Sequence, residues 1–366
     1  MNSEPRIAFV IDALPSIGGG EKVLFAALEA FPNAELFTLV YNRDAFTSTP
    51  IASRKIATSF IDRIPLAHIH HRMFLPLMPF AIEKFDLRDY ETIVSFSYAV
   101  AHGARNHNGA RHLSYTYTPM RYAWTDLNLD GTRTRRNPIL NGFMRTFRVW
   151  DKRAASRVHQ FAAISQAVSR RIADAYRRGA AVIYPPVEVD RFKPAPQREK
   201  FYVTVTRLVA HKRVDILVRA FSQLNLPLLI VGDGPELPRL KNMAGANIRF
   251  LGYQSDEKVA GLLGKARGFV CATEEDFGIA IVEAQAAGCP VVAYGRGGAL
   301  ETVVDGLTGI FFHEQSPESL AEALQRFERD HSNFHVPDLI LNSRRFDKNR
   351  FIREFREFTC HLEPPL

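Results

Sequence analysis

The chain has 366 residues, 46% hydrophobic and 23% charged, the balance of an ordinary globular protein with length enough for two α/β domains. A formal net charge of +8 admits nucleic acid or an anionic surface as partner, but no zinc-finger, RRM or helix-turn-helix signature accompanies it, so nucleic acid is set aside. No apolar run approaches the roughly 18–20 residues that span a bilayer. The start MNSEPRIAFVID lacks a signal-peptide core, and Cys271, Cys289 and Cys360 show no metal-like spacing. These features lead us to expect a cytoplasmic protein with reduced thiols, soluble or peripheral on the inner face of the cell membrane.

Taken in order, Arg6 to Asp12 reads as a buried strand, followed by the turn Gly18, Gly19, Gly20 and a helix opened by Glu21. A glycine turn between strand and helix lets backbone N–H groups approach a ligand, although it matches neither a dinucleotide fingerprint nor a Walker motif. Ala34 to Tyr41 is a second strand. Residues 56–86 are rich in Phe, Leu, Met, Ile and His, with prolines at 76 and 79. Two readings fit them: a bent helix packed on the sheet, or an apolar surface for a membrane or a polyprenyl acceptor. His68, His70 and His71 lack a carboxylate at metal-ligand spacing, so no metal is expected there. Thr92 to Ser97 and Leu113 to Tyr117 are strands whose ends present His102, Tyr117 and Arg121 as candidate substrate contacts. A long basic helix follows over 137–158, then a strand at Phe161 to Ile164 and a helix capped by Ser165. VIYPPVEVDRFKP closes the first half.

The second half alternates strand and helix throughout residues 201–305, the pattern of a Rossmann-like sheet. Arg207 and Lys212 fall in its first strand-to-helix loop, and Gly252 and Tyr253 end the strand at Ile248 to Leu251. The stretch EEDFGIAIVEAQAAGCPVVAYGRGGALET, residues 274–302, reads as loop, helix, buried strand, glycine-rich loop and helix start. Two helix N-termini thereby open at the C-terminal edge of a sheet, where such folds bind phosphorylated ligands. Glu275 and Glu283 flank the first of them, suited to accept from sugar hydroxyls rather than to meet phosphate.

The run EDFGIAIVEAQAAGCPVVA followed by GGALE resembles the E-x7-E signature of retaining GT-B glycosyltransferases of family 4. RLVAHKRVDIL resembles that family's Arg/Lys element, and PPVEVDRFKP its interdomain connection. YTYTPMRYAW is similar to an element of its bacterial polysaccharide mannosyltransferases, with Tyr117 where those have His. The resemblance implies two Rossmann-like domains facing across a cleft, over residues 1–187 and 188–345, with a C-terminal helix in 346–366 returning to the first. The acceptor would bind the first domain and the nucleotide sugar the second. Glu275, Arg207 and Lys212 would be catalytic, with Arg207, Lys212 and the amides of Gly297 and Gly298 on the donor diphosphate. Glu283 would hold the ribose, Gly252 and Tyr253 would lie at the base, and Phe277, Gly278 and Ile279 would line the donor site. Gly19 and Gly20 would face the diphosphate from the first domain.

The function so implied is retaining transfer of mannose from GDP-mannose to a polyprenyl-diphosphate-linked oligosaccharide in surface polysaccharide synthesis, without a cofactor or metal. The alternatives are a UDP-sugar donor, a GT-B phosphorylase, a sugar-nucleotide epimerase, or an inactive GT-B subunit that binds a nucleotide sugar or lipid carrier. The exchange at Tyr117 favours the last of these.

Overall fold

The computed structural model describes residues 5–124 and 138–360. They form two compact units, one of residues 5–124, 138–186 and 351–360, the other of residues 187–350. Each is a parallel sheet covered by helices, the outcome expected when near-continuous apolar strands alternate with amphipathic helices.

In the first unit the strands are β1 (Ile7–Ile11), β2 (Glu35–Thr38), β3 (Ile56–Thr58), β4 (Thr92–Ser97), β5 (Arg111–Thr116), β6 (Gln160–Ala163) and β7 (Ala180–Val182). Their order is β3-β2-β1-β4-β5-β6-β7, and every pairing is parallel. β1, whose five residues are all buried, lies between β2 and β4, so its C-terminal end meets the loop after β4. Helix Gly19–Ala30 follows β1 and buries Val23, Leu24, Ala27 and Leu28. Ser165 accepts from the Val168 amide and caps helix Gln166–Tyr176 as its sequence signals. Helix Lys348–Cys360 places Phe351 and Phe355 in the first unit's core. The Phe355 ring lies 5.8 to 6.1 Å from those of Phe9, Phe31, Phe96 and Tyr115.

Residues 56–86 depart from a single bent helix. They open with the edge strand β3 and continue as one-turn pieces at Phe60–Arg63, Ala67–His70 and His71–Phe74, then helix Met78–Glu83. Pro65, Pro76 and Pro79 interrupt the helical hydrogen-bond ladder too often for one helix to persist. The short strand β7 also lies beyond the periodic signal, because three residues are too few to show a period.

The second unit contains β8 (Tyr202–Val205), β9 (Leu228–Val231), β10 (Ile248–Gly252), β11 (Gly268–Cys271), β12 (Val291–Tyr294) and β13 (Gly309–Phe312), in the order β10-β9-β8-β11-β12-β13, all parallel. The order reverses at β8 and β11, the switch point where a doubly wound sheet leaves a crevice at its strand ends. Helices Val214–Leu224 and Pro317–Asp330 cover one face, and helices Ile279–Ala286 and Val336–Arg344 pack on each other. β13 and the helices at 317–330 and 336–344 extend the alternation past residue 305. Among the described residues no helix is long and apolar enough to cross a membrane.

Candidate functional site

In the second unit the candidate residues gather where β8, β10, β11 and β12 end. Arg207 follows β8. Its neighbours are clamped by the loop after β9: Thr206 N–H donates to Val231 O, and Leu208 N–H to Asp233 O at 2.9 Å. Gly232 and Gly234, at φ +129° and +157°, lie so close that a Cβ would stand 1.9 Å from Thr206 O and 2.3 Å from Leu208 O. Only glycine fits such an approach. With the backbone pinned on both sides, the Arg207 side chain is turned to the exposed surface.

Lys212 ends the one-turn helix Ala210–Lys212 in the same loop. Its Nζ lies 2.7 Å and 3.0 Å from the two carboxylate oxygens of Glu275, a bidentate pair with both side chains about one-fifth exposed. The pair is supported from below, since Thr273 Oγ1 donates to Lys212 O at 2.8 Å. Arg213, held at φ +50°, donates to Asp215 and to Gln315, and Gln315 in turn donates to Ala272 O. Asp215 thus steadies the loop through Arg213. Cys271 Sγ lies 3.8 Å from Glu275 Oε1. Burial, with the Glu275 charge beside it, pushes that thiol up to about 12. It is an inert neighbour.

Glu275 is also fixed through its backbone. Gly298 N–H donates to Glu275 O at 2.7 Å, and a Cβ on Gly298 would meet Phe277 Cα at 2.3 Å. Gly297, at φ +60°, leaves no room for a Cβ beside Glu275 O, 2.3 Å away. The Gly298 amide, expected on the diphosphate, is therefore spent on lacing two loops together. Phe277 is buried against the Phe346 ring at 5.3 Å and anchors that lacing rather than lining a surface. Gly278, at φ +94°, turns the chain into helix Ile279–Ala286, and its carbonyl accepts from Ile281 and Val282. Glu283, nearly buried, has Arg191 Nη2 3.8 Å from its Oε1. Gly252 adopts φ +65° beside open space, and Tyr253 is 84% exposed.

In the first unit, the ends of β1, β4 and β5 are bound to one another. Buried Asp12 accepts four backbone N–H groups, those of Tyr98, Ala99, Val100 and Ala101, at 2.5 to 3.0 Å. Burial pushes its carboxyl up, and the four donors pull the other way. Tyr117 donates its phenol to Gly20 O at 2.9 Å, tying the end of β5 to the glycine turn. Gly19 is the exposed first residue of its helix. His102, expected at a substrate surface, is instead 2% exposed. Its Nδ1 meets Ser97 Oγ at 2.9 Å and its Nε2 lies 3.0 Å from Asp151, which accepts from Trp124 Nε1. The ring turns inward because Asp151, on the long basic helix, is a buried carboxylate in need of donors. The Arg121 side chain lies outside the described residues.

Sequence reading missed Asp12, Asp233, Thr273, Asp151 and Gln315, all partners of loops rather than motif residues. The glycines of GDGPE, Gly232 and Gly234, were the one available signal.

A doubly wound parallel sheet in each unit, with the Arg207, Lys212 and Glu275 loops at the strand ends of the second, is the arrangement of the GT-B fold, which the chain shares with solved structures. Sucrose-phosphate synthase from Thermosynechococcus elongatus aligns over 97% of this chain and 98% of its own at TM-score 0.78 and 18% identity. Anabaena HepE in complex with UDP and glucose aligns over 98% and 100% at TM-score 0.74 and 19% identity. The model of the family Glycosyl transferases group 1 matches residues 187–343. The chain resembles a GDP-mannose-dependent alpha-(1-6)-phosphatidylinositol monomannoside mannosyltransferase of Mycolicibacterium smegmatis, 35% identical over 178 residues, 40% of this chain and 47% of that one. It also resembles a D-inositol 3-phosphate glycosyltransferase of Mycobacterium bovis, 33% identical over 172 residues, 40% of this chain and 36% of that one. The chain spans about half the length of the mannosyltransferase that it matches.

Proposed function

We propose that the protein is a retaining glycosyltransferase that moves mannose from GDP-mannose to a hydroxyl of a lipid-linked saccharide. The Lys212–Glu275 pair at the strand ends carries this reading. A cation and a carboxylate held together, with the exposed Arg207 in the same loop as Lys212, match a donor with a diphosphate at one end and a polyol at the other. The two mannosyl and inositol phosphate transferase relatives support the choice of reaction, and the first supports GDP-mannose.

In this mechanism Arg207 and Lys212 take up charge as the C1–O bond to the diphosphate breaks, stabilising the leaving group where it develops charge. Glu275 accepts from a sugar hydroxyl and supports the oxocarbenium-like ring. The acceptor oxygen bonds to C1 on the face that the diphosphate leaves, and its proton passes to a departing phosphate oxygen. Glu283 accepts from the ribose. The exposed Tyr253 lies at the base, and the amides at the start of helix Ile279–Ala286 face the anionic end of the donor. With two side-chain cations on the diphosphate, turnover persists in EDTA.

The test is thermal unfolding of the full chain with GDP, UDP, ADP and their sugars in EDTA. Binding at about 100 times Kd stabilises the folded state by roughly 2.7 kcal/mol. Stabilisation by GDP and GDP-mannose, with release of GDP when a lipid-linked acceptor is added, is the expected result. Stabilisation by UDP alone overturns the mannose donor, and no response to any nucleotide overturns the transferase.

A further inference from the structure

We propose that residues 60–84 of the first unit seat the protein on an anionic lipid bilayer. The inference rests on this surface alone. It would give the lipid-linked acceptor of the proposed function a place to be met, but it stands or falls separately.

The observation is a run of large apolar side chains left outside. Met73 is 75% exposed, Ile69 58%, Leu66 57% and Phe80 56%, with Phe60 and Leu77 more than one-third exposed. Soluble surfaces scatter such residues singly; six within 21 positions, with the Phe60 and Phe80 rings 6.0 Å apart, mark a partner or a membrane. The patch is carried by the one-turn pieces described above, whose other sides are firmly packed: Ile61, Ala67, Leu75, Met78 and Ala81 are buried in the core. The exposure is therefore a property of an anchored surface. Leu66 holds φ +61°, a backbone conformation that disfavours a leucine, and its side chain is outside. A cavity of about 400 Å³ lies between Phe60 and Phe80, lined also by Ala81, Lys84 and Phe85.

Charge selects the occupant. Arg63, Arg72 and Lys84 are exposed along this segment, and Lys84 Nζ lies 4.2 Å above the Phe80 ring. Both carboxylates of the segment turn toward the protein. Asp62 accepts from the Tyr41 amide, and Glu83 binds Arg105, Arg157 and Trp150 Nε1. Exposed apolar side chains interspersed with exposed cations, with the segment's anions withdrawn, are complementary to acyl chains beneath an anionic headgroup layer. A second copy of this chain is disfavoured, because a two-fold pairing would set the same cations against themselves.

The experiment is co-sedimentation of the full chain with vesicles of phosphatidylglycerol and phosphatidylcholine, or of phosphatidylcholine alone, at low and high salt. The expected result is binding to the anionic vesicles that weakens with salt. Ile69→Glu with Met73→Glu should lower partitioning at least tenfold. Arg63→Glu with Lys84→Glu should lower it about fivefold or more for each cation lost. Thermal unfolding and nucleotide stabilisation of both variants should match the parent, since every altered side chain is exposed. Parent protein left in the supernatant with anionic vesicles overturns the proposal. Variants that bind as the parent does overturn it too. A lipid-free dimer that Ile69→Glu with Met73→Glu converts to monomer would assign the patch to a second copy instead.

Discussion

Replacing Gly298 by alanine tests whether the two loops that carry Glu275 are laced as described. Gly298 has φ −66° and ψ −19°, a helical conformation that alanine adopts without strain, so any cost is steric. The new Cβ would meet Phe277 Cα at 2.3 Å, its O at 2.6 Å and its C at 2.7 Å. These are backbone atoms, and Phe277 is itself held in the core against Phe346, so about 1 Å of separation must come from moving one loop. Overpacking of this kind costs typically 1–3 kcal/mol. With no flexible side chain to yield, we expect about 2–3 kcal/mol, or roughly 5–10 °C in Tm for a unit of this size. Displacement of about 1 Å at Glu275 should also lower kcat by about 100-fold.

Gly261→Ala supplies the opposite sign from the same chemical change. Gly261 lies within helix Asp256–Lys265 with open space around it, and alanine there should stabilise by about 0.5–1 kcal/mol. The assay is calorimetric unfolding of both variants beside turnover with a nucleotide-sugar donor. A Gly298→Ala protein as stable and active as the parent, or stabilised as Gly261→Ala is, would refute the lacing.

Three further outcomes are expected. Glu275→Gln keeps the shape but not the charge; it should retain nucleotide stabilisation while kcat falls by about 100- to 1,000-fold, and loss of the half-buried pair should cost only about 1–2 kcal/mol. Burial first, then neighbouring His102, His159 and Arg157, pushes buried His112 from 6.5 down to about 3. A base depressed on folding contributes stability above its unfolded value, so stability should fall as pH drops from 6.5 toward 3, at up to about 1.4 kcal/mol per pH unit; urea titrations across that range should show a shallower slope for His112→Gln. Cys271 and Cys289 are buried and pushed up to about 12, whereas Cys360 is exposed, so iodoacetamide at pH 8 should modify one thiol rapidly in the folded protein and three in denaturant, as read by mass spectrometry.

The parts legible in the sequence were those that short-range physics writes locally. A parallel strand buried on both faces must be a continuous apolar run, and β1, β4, β11 and β12 stand close to where IAFVI, TIVSFS, GFVC and VVAY place them. A helix needs a start and a stop, so Ser165 announces its cap. Glycine at a close approach leaves a mark that any reader of the chain can see, and the Gly297–Gly298 pair did so. The bent-helix reading of residues 56–86 failed because a mixture of apolar residues and prolines has no single period, and one-turn pieces leave too few residues to establish one.

What the tertiary structure alone decided is where those local pieces send their polar groups. Tyr117 meets Gly20 across 97 positions, Lys212 meets Glu275 across 63, and Asp12 meets the 98–101 amides nearly 90 positions away. Such partners follow from strand order: β1 lies beside β4, and β8 beside β11. Strand order is set by packing across the whole sheet, and the residues flanking any one strand carry little trace of it. The same holds for His102, which a strand-end position marked as a surface residue until buried Asp151 claimed its ring. Motif and spacing thus named the chemistry available to this chain, while the free energy of satisfying buried polar groups, summed over contacts far apart in sequence, chose which side chains remained at the surface to perform it.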